Sequence, residues 1–341
     1  MGLKVRTFAL VLDRPAAVYR ASEVVSGQCV LALDGDMHLS QLTITLKGEA
    51  ECEWTEQKTV AAHQSHGNHG SDHNHHHHDH NQTRTETVRH HAKHTHNHHH
   101  HDHNQTRTET VRHHAKHTCV DLVYCPGNVY PSTLSGGQHN IGFNFQLPLG
   151  ALPSSFESTY GHIRYWIEAH IRKTAFFAFD ERTRLPLQIR APALASPQEL
   201  AMPAVNSAQK TVGLFGGQPL SLRAEIARTG HAVGSTLQIT CFVDNRSKKA
   251  MQLMATLRQE VDFFANGSKR RSDEKIAKSM GPTVGAHTVA TEVILLPIPL
   301  TAAVVYNSCP IIRAKHVLDV FLSISGSFDL HVILGIILTN D

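Results

Sequence analysis

Histidine dominates the chemistry that this sequence offers. The chain has 341 residues and 29 histidines, of which 21 lie between His63 and His117. Neutral imidazoles at short spacing chelate zinc, nickel or copper, and Asp79 and Asp102 can add oxygen ligands. We expect weak binding, because a metal must first order an unstructured segment. The alternative is a low-complexity loop grown by duplication. The candidate ligands form two clusters: His75, His76, His77, His78 and His80, and His98, His99, His100, His101 and His103.

A short basic patch is the second candidate for chemistry. Lys269, Arg270 and Arg271 follow one another within residues 266–278. Basic residues near an anionic lipid surface contribute about 1 kcal/mol each, so this patch predicts a membrane contact. The alternative interpretation is a solvated hairpin loop.

Other ligand and reaction classes find little support. The remaining histidines are scattered, and the sequence has neither a GxSxG nor an HExxH motif. We therefore expect no catalytic residues, no enzymatic activity and no required cofactor. A formal net charge of +3 provides no field that would draw in nucleic acid.

Outside the histidine-rich segment, apolar and polar residues alternate, as in strands with one buried face. Helical periodicity is nearly absent. The sequence therefore predicts an all-β protein whose antiparallel sheets pack as sandwiches. The alternating apolar sets are Leu42, Ile44 and Leu46; Ile163, Tyr165, Ile167, Ala169 and Ile171; Leu237, Ile239, Cys241 and Val243; Met251, Leu253, Ala255 and Leu257; and Ile312, Ala314, His316, Leu318, Val320, Leu322 and Ile324.

Two breaks in this pattern predict the domain organisation. Residues 186–207 contain four prolines without alternation, which indicates a linker between one β domain at 1–185 and another at 208–341.

The second break is a perfect tandem repeat, in which HNHHHHDHNQTRTETVRHHAKHT occupies 73–95 and recurs at 96–118. Two copies with almost no apolar residues cannot build a core. We therefore expect residues from about 57 to 118 to be a disordered loop within the first domain.

Seven segments outside the insertion carry a resemblance to a known family. The most specific of them is GQHNIGFNFQLP at 137–148. The other segments are VYRASEVVSG at 18–27, LKGEAECEWTE at 46–56, LPSSFE at 152–157, YGHIRY at 160–165, GQPLSL at 217–222 and SCPII at 308–312. Together they resemble the arrestin fold, and the α-arrestins (arrestin domain-containing proteins) most closely. The resemblance implies two tandem arrestin-type, immunoglobulin-like β-sandwich domains joined by a short linker.

The resemblance also implies a function. Such proteins are adaptors that bind cytosolic tails of membrane proteins and link them to endocytic sorting, protein transport or ubiquitination machinery. The sequence contains no PPxY motif, so we expect ubiquitin ligases to be reached through an additional partner rather than through WW domains. We expect a cytoplasmic protein, peripheral at the plasma membrane or endosomes, whose six cysteines are reduced thiols.

Two other functions remain open from the sequence. The histidine-rich insertion favours a metal-binding or metal-sensing protein that uses the arrestin body as a carrier. A retromer-like sorting subunit shares the same fold. The identity of the cargo and the surface that binds it cannot be assigned from the sequence.

Overall fold

The computed structural model describes residues 5–61, 106–126, 132–150, 152–173, 180–192, 195–213, 217–305 and 308–340. The chain forms two compact units: Met1–Trp54 with His113–Asp341, and Thr55–Arg112. The larger unit contains two β-sandwiches in sequence, so the all-β prediction is confirmed. Within the described ranges, the only helix is Pro197–Ala201 (α1), and no helix is long and apolar enough to cross a membrane.

The first sandwich packs a three-stranded sheet of order β1-β3-β7 against a seven-stranded sheet with the path β2-β10-β9-β4-β5. In the larger sheet, β6 pairs with β4 and β8 pairs with β9. The strands are Val5–Leu12 (β1), Val18–Tyr19 (β2), Val24–Leu33 (β3), Met37–Ala61 (β4), Thr106–Tyr124 (β5), Ser132–Leu134 (β6), Gly137–Gln146 (β7), Phe156–Ser158 (β8), Gly161–Lys173 (β9) and Glu181–Ile189 (β10).

The second sandwich packs a four-stranded sheet of order β11-β12-β14-β17 against a five-stranded sheet of order β13-β19-β18-β15-β16. Its strands are Ala204–Val212 (β11), Gln218–Ile226 (β12), Gly230–Ala232 (β13), Thr236–Asn245 (β14), Met251–Ala265 (β15), Ser268–Val284 (β16), Thr288–Pro297 (β17), Ile312–Ser323 (β18) and Leu330–Thr339 (β19).

The alternating apolar sets lie inward on these strands, as the sequence predicts. Leu42, Ile44 and Leu46 on β4 are fully buried, and so are Ile163 and Ile167 on β9. Each strand therefore contributes one apolar face to a core and turns the other face outward. On β9 the outward face carries His162, Arg164, Trp166, Glu168 and His170.

The disordered loop predicted at 57–118 is wrong at both of its ends, because the residues there belong to strands. Strand β4 continues to Ala61, and strand β5 begins at Thr106. The reason is packing: His113 is 3% exposed, and its ring stacks on Trp54 with centroids 5.1 Å apart. Ala115 adds a second apolar contact with the core. Residues 62–105 lie outside the described residues, and with them most of the predicted insertion.

The predicted linker at 186–207 is shorter in the structure. Strand β10 continues to Ile189 because Pro186 and Leu187 pair with Trp166 and Tyr165 of β9. Strand β11 then starts at Ala204, four residues before the predicted domain boundary. Between them, α1 begins with a capping box in which Ser196 and Glu199 exchange hydrogen bonds.

The two sandwiches share one buried apolar cluster at their junction. The ring of Tyr160 meets Phe263 edge-on with centroids 5.8 Å apart, and Cys52 Sγ donates to the Phe264 carbonyl at 3.4 Å. A core shared in this way couples the folding of the sandwiches. The members contributed by the second half of the chain are Val261, Phe263, Ala265, Ala303, Val305, Cys309, Ile312 and Ala314.

Candidate functional site

A cleft of about 960 Å³ lies where the two sandwiches meet. Its volume is at the upper end of the roughly 300–1,000 Å³ that ligand sites span. One wall comes from β8, β9 and β10 of the first sandwich, and the other from β15, β16 and residues 300–304 of the second. The polar or aromatic residues in its lining are Ser154, Ser155, Phe156, Glu157, Arg164, Tyr165, Trp166, Arg184, Gln188, Arg190, Gln259, Glu274, Thr301 and Asn340.

An ion pair sits on the first wall. Arg164 donates to both carboxylate oxygens of Glu157, from Nε to Oε1 at 2.7 Å and from Nη2 to Oε2 at 2.8 Å. These hydrogen bonds hold the pKa of Glu157 below its usual range. The bidentate geometry fixes the orientation of the guanidinium.

Trp166 places an unsatisfied donor on the same wall. Its indole Nε1–H is buried and has no hydrogen-bond partner within the described part of the chain. The Arg184 guanidinium lies 5.3 Å from the centroid of the indole and also pairs with Glu168. Arg190 is exposed and makes no ion pair among the described residues. The wall thus offers an indole donor and a guanidinium to a carbonyl or carboxylate ligand.

Hydrogen bonds to the backbone hold the opposite wall in place. Gln259 Oε1 accepts the Ala303 amide at 2.7 Å. Asn340 Nδ2 donates to the Ala191 carbonyl at 2.6 Å and to Ser154 Oγ at 3.2 Å, which ties the last strand to the first sandwich. Both sides of the cleft are therefore largely preformed.

The structure places the predicted membrane-contact residues on strand β16 rather than in a loop. Asn266 and Gly267, both with positive φ, form the turn before that strand. Lys269 Nζ lies 2.8 Å from Asp262 Oδ2, and Arg271 donates to Asp262 from Nε at 2.7 Å and pairs with Glu260 at 3.1 Å. The hydrogen bonds from Arg271 lower the pKa of Asp262 to about 2, although its partial burial acts in the opposite direction. Acidic partners thus compensate two charges of the patch.

Arg270 has a different contact. Its guanidinium lies 4.9 Å from the centroid of the Tyr160 ring, and Nη2 is 3.1 Å from the Tyr160 hydroxyl. It therefore bridges the two sandwiches. A membrane contact by the patch stays a prediction, and it would have to compete with these interactions.

All ten predicted metal ligands of the insertion lie outside the described residues. Within the described ranges, one group of side chains has the spacing of a metal site: Glu51, Glu53 and His114. The sequence reasoning missed this group, because its residues belong to two strands separated by the insertion.

The sequence predicts reduced thiols. All six cysteines are free in the structure; four of them are buried, Cys119 is half-buried and Cys125 is exposed. Burial raises the pKa of Cys29 and Cys241 to about 12, which keeps these thiols protonated near neutral pH.

The sequence analysis assigned no residue to the cleft. One signal was present, because the alternation on β9 turns Trp166 outward, between Arg164 and Glu168. A large aromatic side chain on a predicted outer face indicates an interaction surface or a domain contact. The opposite wall, however, comes from residues about a hundred positions later in the chain.

Two β-sandwiches in tandem are the fold that the resemblance to arrestins implies. Two family models match the chain: the N-terminal domain of arrestin (or S-antigen) over residues 8–190 and the C-terminal domain over residues 217–340. The chain therefore belongs to the arrestin family.

Individual relatives point to the α-arrestin branch. The chain is 27% identical over 213 residues to arrestin domain-containing protein 4 of Mus musculus, a match that covers 61% of the chain and 50% of the relative. The same protein of Homo sapiens is 27% identical over 216 residues, 61% of the chain and 50% of the relative. Thioredoxin-interacting protein of Sus scrofa is 22% identical over 208 residues, 59% and 52% of the two chains. The chain thus spans about half the length of the curated relatives it matches.

Proposed function

We propose that this protein is an arrestin-type adaptor rather than an enzyme. It binds cytosolic regions of membrane proteins and links them to endocytic sorting, protein transport or ubiquitination machinery. The protein works in the cytoplasm, peripherally at the plasma membrane or endosomes. The family match over both domains supports the adaptor class, and the cleft is the observation that carries the proposal.

The cleft suits an extended segment of a cargo protein. The unsatisfied indole N–H of Trp166 donates to a backbone carbonyl of the cargo, and the guanidinium of Arg190 pairs with an acidic side chain. Strand β7, at the edge of its sheet, offers a further place where an extended segment can add by β-augmentation. Backbone hydrogen bonds then supply affinity, and the cleft supplies specificity.

Proximity labelling in cells tests the proposal. Trp166→Ala and Arg190→Glu are compared with the unmodified chain, and Arg228→Glu is the matched control because Arg228 is exposed but does not line the cleft. We expect the two cleft variants to label membrane proteins at least fivefold less, and the control to label them normally.

Two results would contradict the proposal in different ways. If the unmodified chain labels no membrane or trafficking proteins, the adaptor function is wrong. If it labels them and both cleft variants do so equally well, the adaptor function stands but the cleft is not the cargo site. Arg190→Glu keeps the test valid if Trp166→Ala folds poorly, since Arg190 is an exposed side chain.

A further inference from the structure

Three adjacent strands bring two carboxylates and two imidazoles together on the outer face of the first sandwich. Glu51 and Glu53 are two positions apart on β4 and point to the same side. With His114 of β5, they place one ligand atom each within 4.8 Å of one another. His162 of β9 lies directly across from Glu51 in the strand register, with its Nε2 3.8 Å from Glu51 Oε2.

This set of donors matches a particular class of metal ion. Zinc is held by four nitrogen, sulfur or oxygen ligands in a tetrahedral arrangement, and imidazole with carboxylate is one of its usual combinations. Calcium and magnesium take oxygen ligands, so two imidazoles disfavour them. The four side chains project from paired strands, so the backbone already fixes their relative positions.

Lys116 competes with a metal ion for Glu51. Its Nζ lies 3.4 Å from Glu51 Oε2, but its side chain is 55% exposed and can turn into solvent. The hydrogen bond between His114 Nε2 and Glu51 Oε1, 2.8 Å long, must also open for both atoms to face a metal ion. Each change needs only a rotation of a side chain on a fixed backbone.

We propose that Glu51, Glu53, His114 and His162 form a binding site for Zn²⁺ on the outer face of β4, β5 and β9. This site is separate from the ten histidines of the insertion. It ties β5, the strand that follows the insertion, to the centre of its sheet. Because the ligands come from three strands, the folded chain binds the ion more tightly than the unfolded chain, and Zn²⁺ stabilises the fold.

The test uses the full chain with the 18 histidines from His63 to His103 replaced by asparagine, which removes the competing histidines that precede β5. Calorimetric titration with ZnCl₂ measures stoichiometry and affinity, and Co²⁺ absorption reports tetrahedral coordination. We expect one equivalent at micromolar affinity and a Zn²⁺-dependent rise in Tm. Glu51→Gln and His114→Gln should each weaken binding at least tenfold.

His170→Gln is the matched control. His170 lies on the same face of β9, and its Nε2 is 2.9 Å from Asp180 Oδ2. Its variant should bind Zn²⁺ like the parent. Equal affinity in the parent, Glu51→Gln and His114→Gln would overturn the proposal, and so would saturation only at millimolar Zn²⁺. Glu53→Gln, at an exposed position, provides the same comparison if another variant folds poorly.

Discussion

At the scale of single residues, His316 shows how burial sets protonation. It lies on β18 with 2% of its surface exposed, and its Nε2 is 3.3 Å from Gln259 Oε1. Burial lowers its pKa from 6.5 to about 4. At pH values between about 4 and 6.5, His316 is protonated in the unfolded chain but not in the folded chain. Stability therefore falls as pH drops through this window, by up to about 3 kcal/mol from this one group.

The comparison of His316→Gln with the parent measures this effect. We expect the free energy of unfolding in urea to depend less steeply on pH between 6.5 and 4 in the variant. The difference in slope should correspond to the uptake of up to one proton on unfolding. All other histidines are present in both proteins, so the difference between the two curves isolates His316. Parallel curves across the window would show that His316 already titrates normally in the folded state.

At the scale of elements, Gly48 shows how closely β4 packs against its neighbours. A Cβ at this position would overlap the ring of Tyr165 and lie 2.9 Å from Val120 Cγ1. The Tyr165 hydroxyl donates to the Pro153 carbonyl at 2.6 Å, so the buried ring cannot easily move away. Gly48→Ala should therefore lower the free energy of unfolding by about 3 kcal/mol.

Gly142 supplies the control on β7. No atom lies within 4 Å of a Cβ added there, and Gly142→Ala should change stability by less than about 1 kcal/mol, in the stabilising direction. Urea unfolding followed by tryptophan fluorescence measures both variants. Similar stabilities for the two would mean that Tyr165 moves aside without cost.

The strands could be predicted from the sequence because alternation is a local signal. On β9, five apolar positions between Ile163 and Ile171 are enough to define the buried face. On β5, the alternation of Val120, Leu122 and Tyr124 indicates only the end of the strand. Residues 106–118 could not be predicted as a strand, since the repeat has few apolar residues. They extend β5 because His113 stacks on Trp54, a contact between residues 59 positions apart in the chain.

Two shortened chains test where the insertion ends. Replacing the 44 residues 62–105 with ten glycine and serine residues keeps β5 and reduces the loop-closure cost by about 1.3 kcal/mol, from (3/2)RT ln 4.4. We expect this chain to fold and to be slightly more stable in urea. Replacing 57–118 instead removes His113 and Ala115 from the core, and should cost about 3 kcal/mol or more. Equal stability of the two chains would show that 106–118 contributes nothing to the sheet.

At the scale of the whole molecule, the cleft and the zinc site depend on contacts between distant parts of the chain. Trp166 and Gln259 line one cleft from different sandwiches, and His114 meets Glu51 only because β5 pairs beside β4. Local patterns give the face on which each residue lies, but they do not give its neighbours across strands or domains. The resemblance to arrestins supplied the two-domain fold, and it assigned no residue to either site.

The shared core at the junction predicts that the two sandwiches unfold as one. Differential scanning calorimetry of the parent should show a single transition. Phe263 is fully buried at the junction, in a cluster with residues of both sandwiches. Phe263→Ala should cost about 3–5 kcal/mol and separate the trace into two transitions, because it removes packing that both sandwiches need. Leu322→Ala, equally buried but within the core of the second sandwich alone, should lower Tm and keep one transition. A single transition in Phe263→Ala would mean that other contacts, such as Asn340 with Ala191, are sufficient to couple the sandwiches.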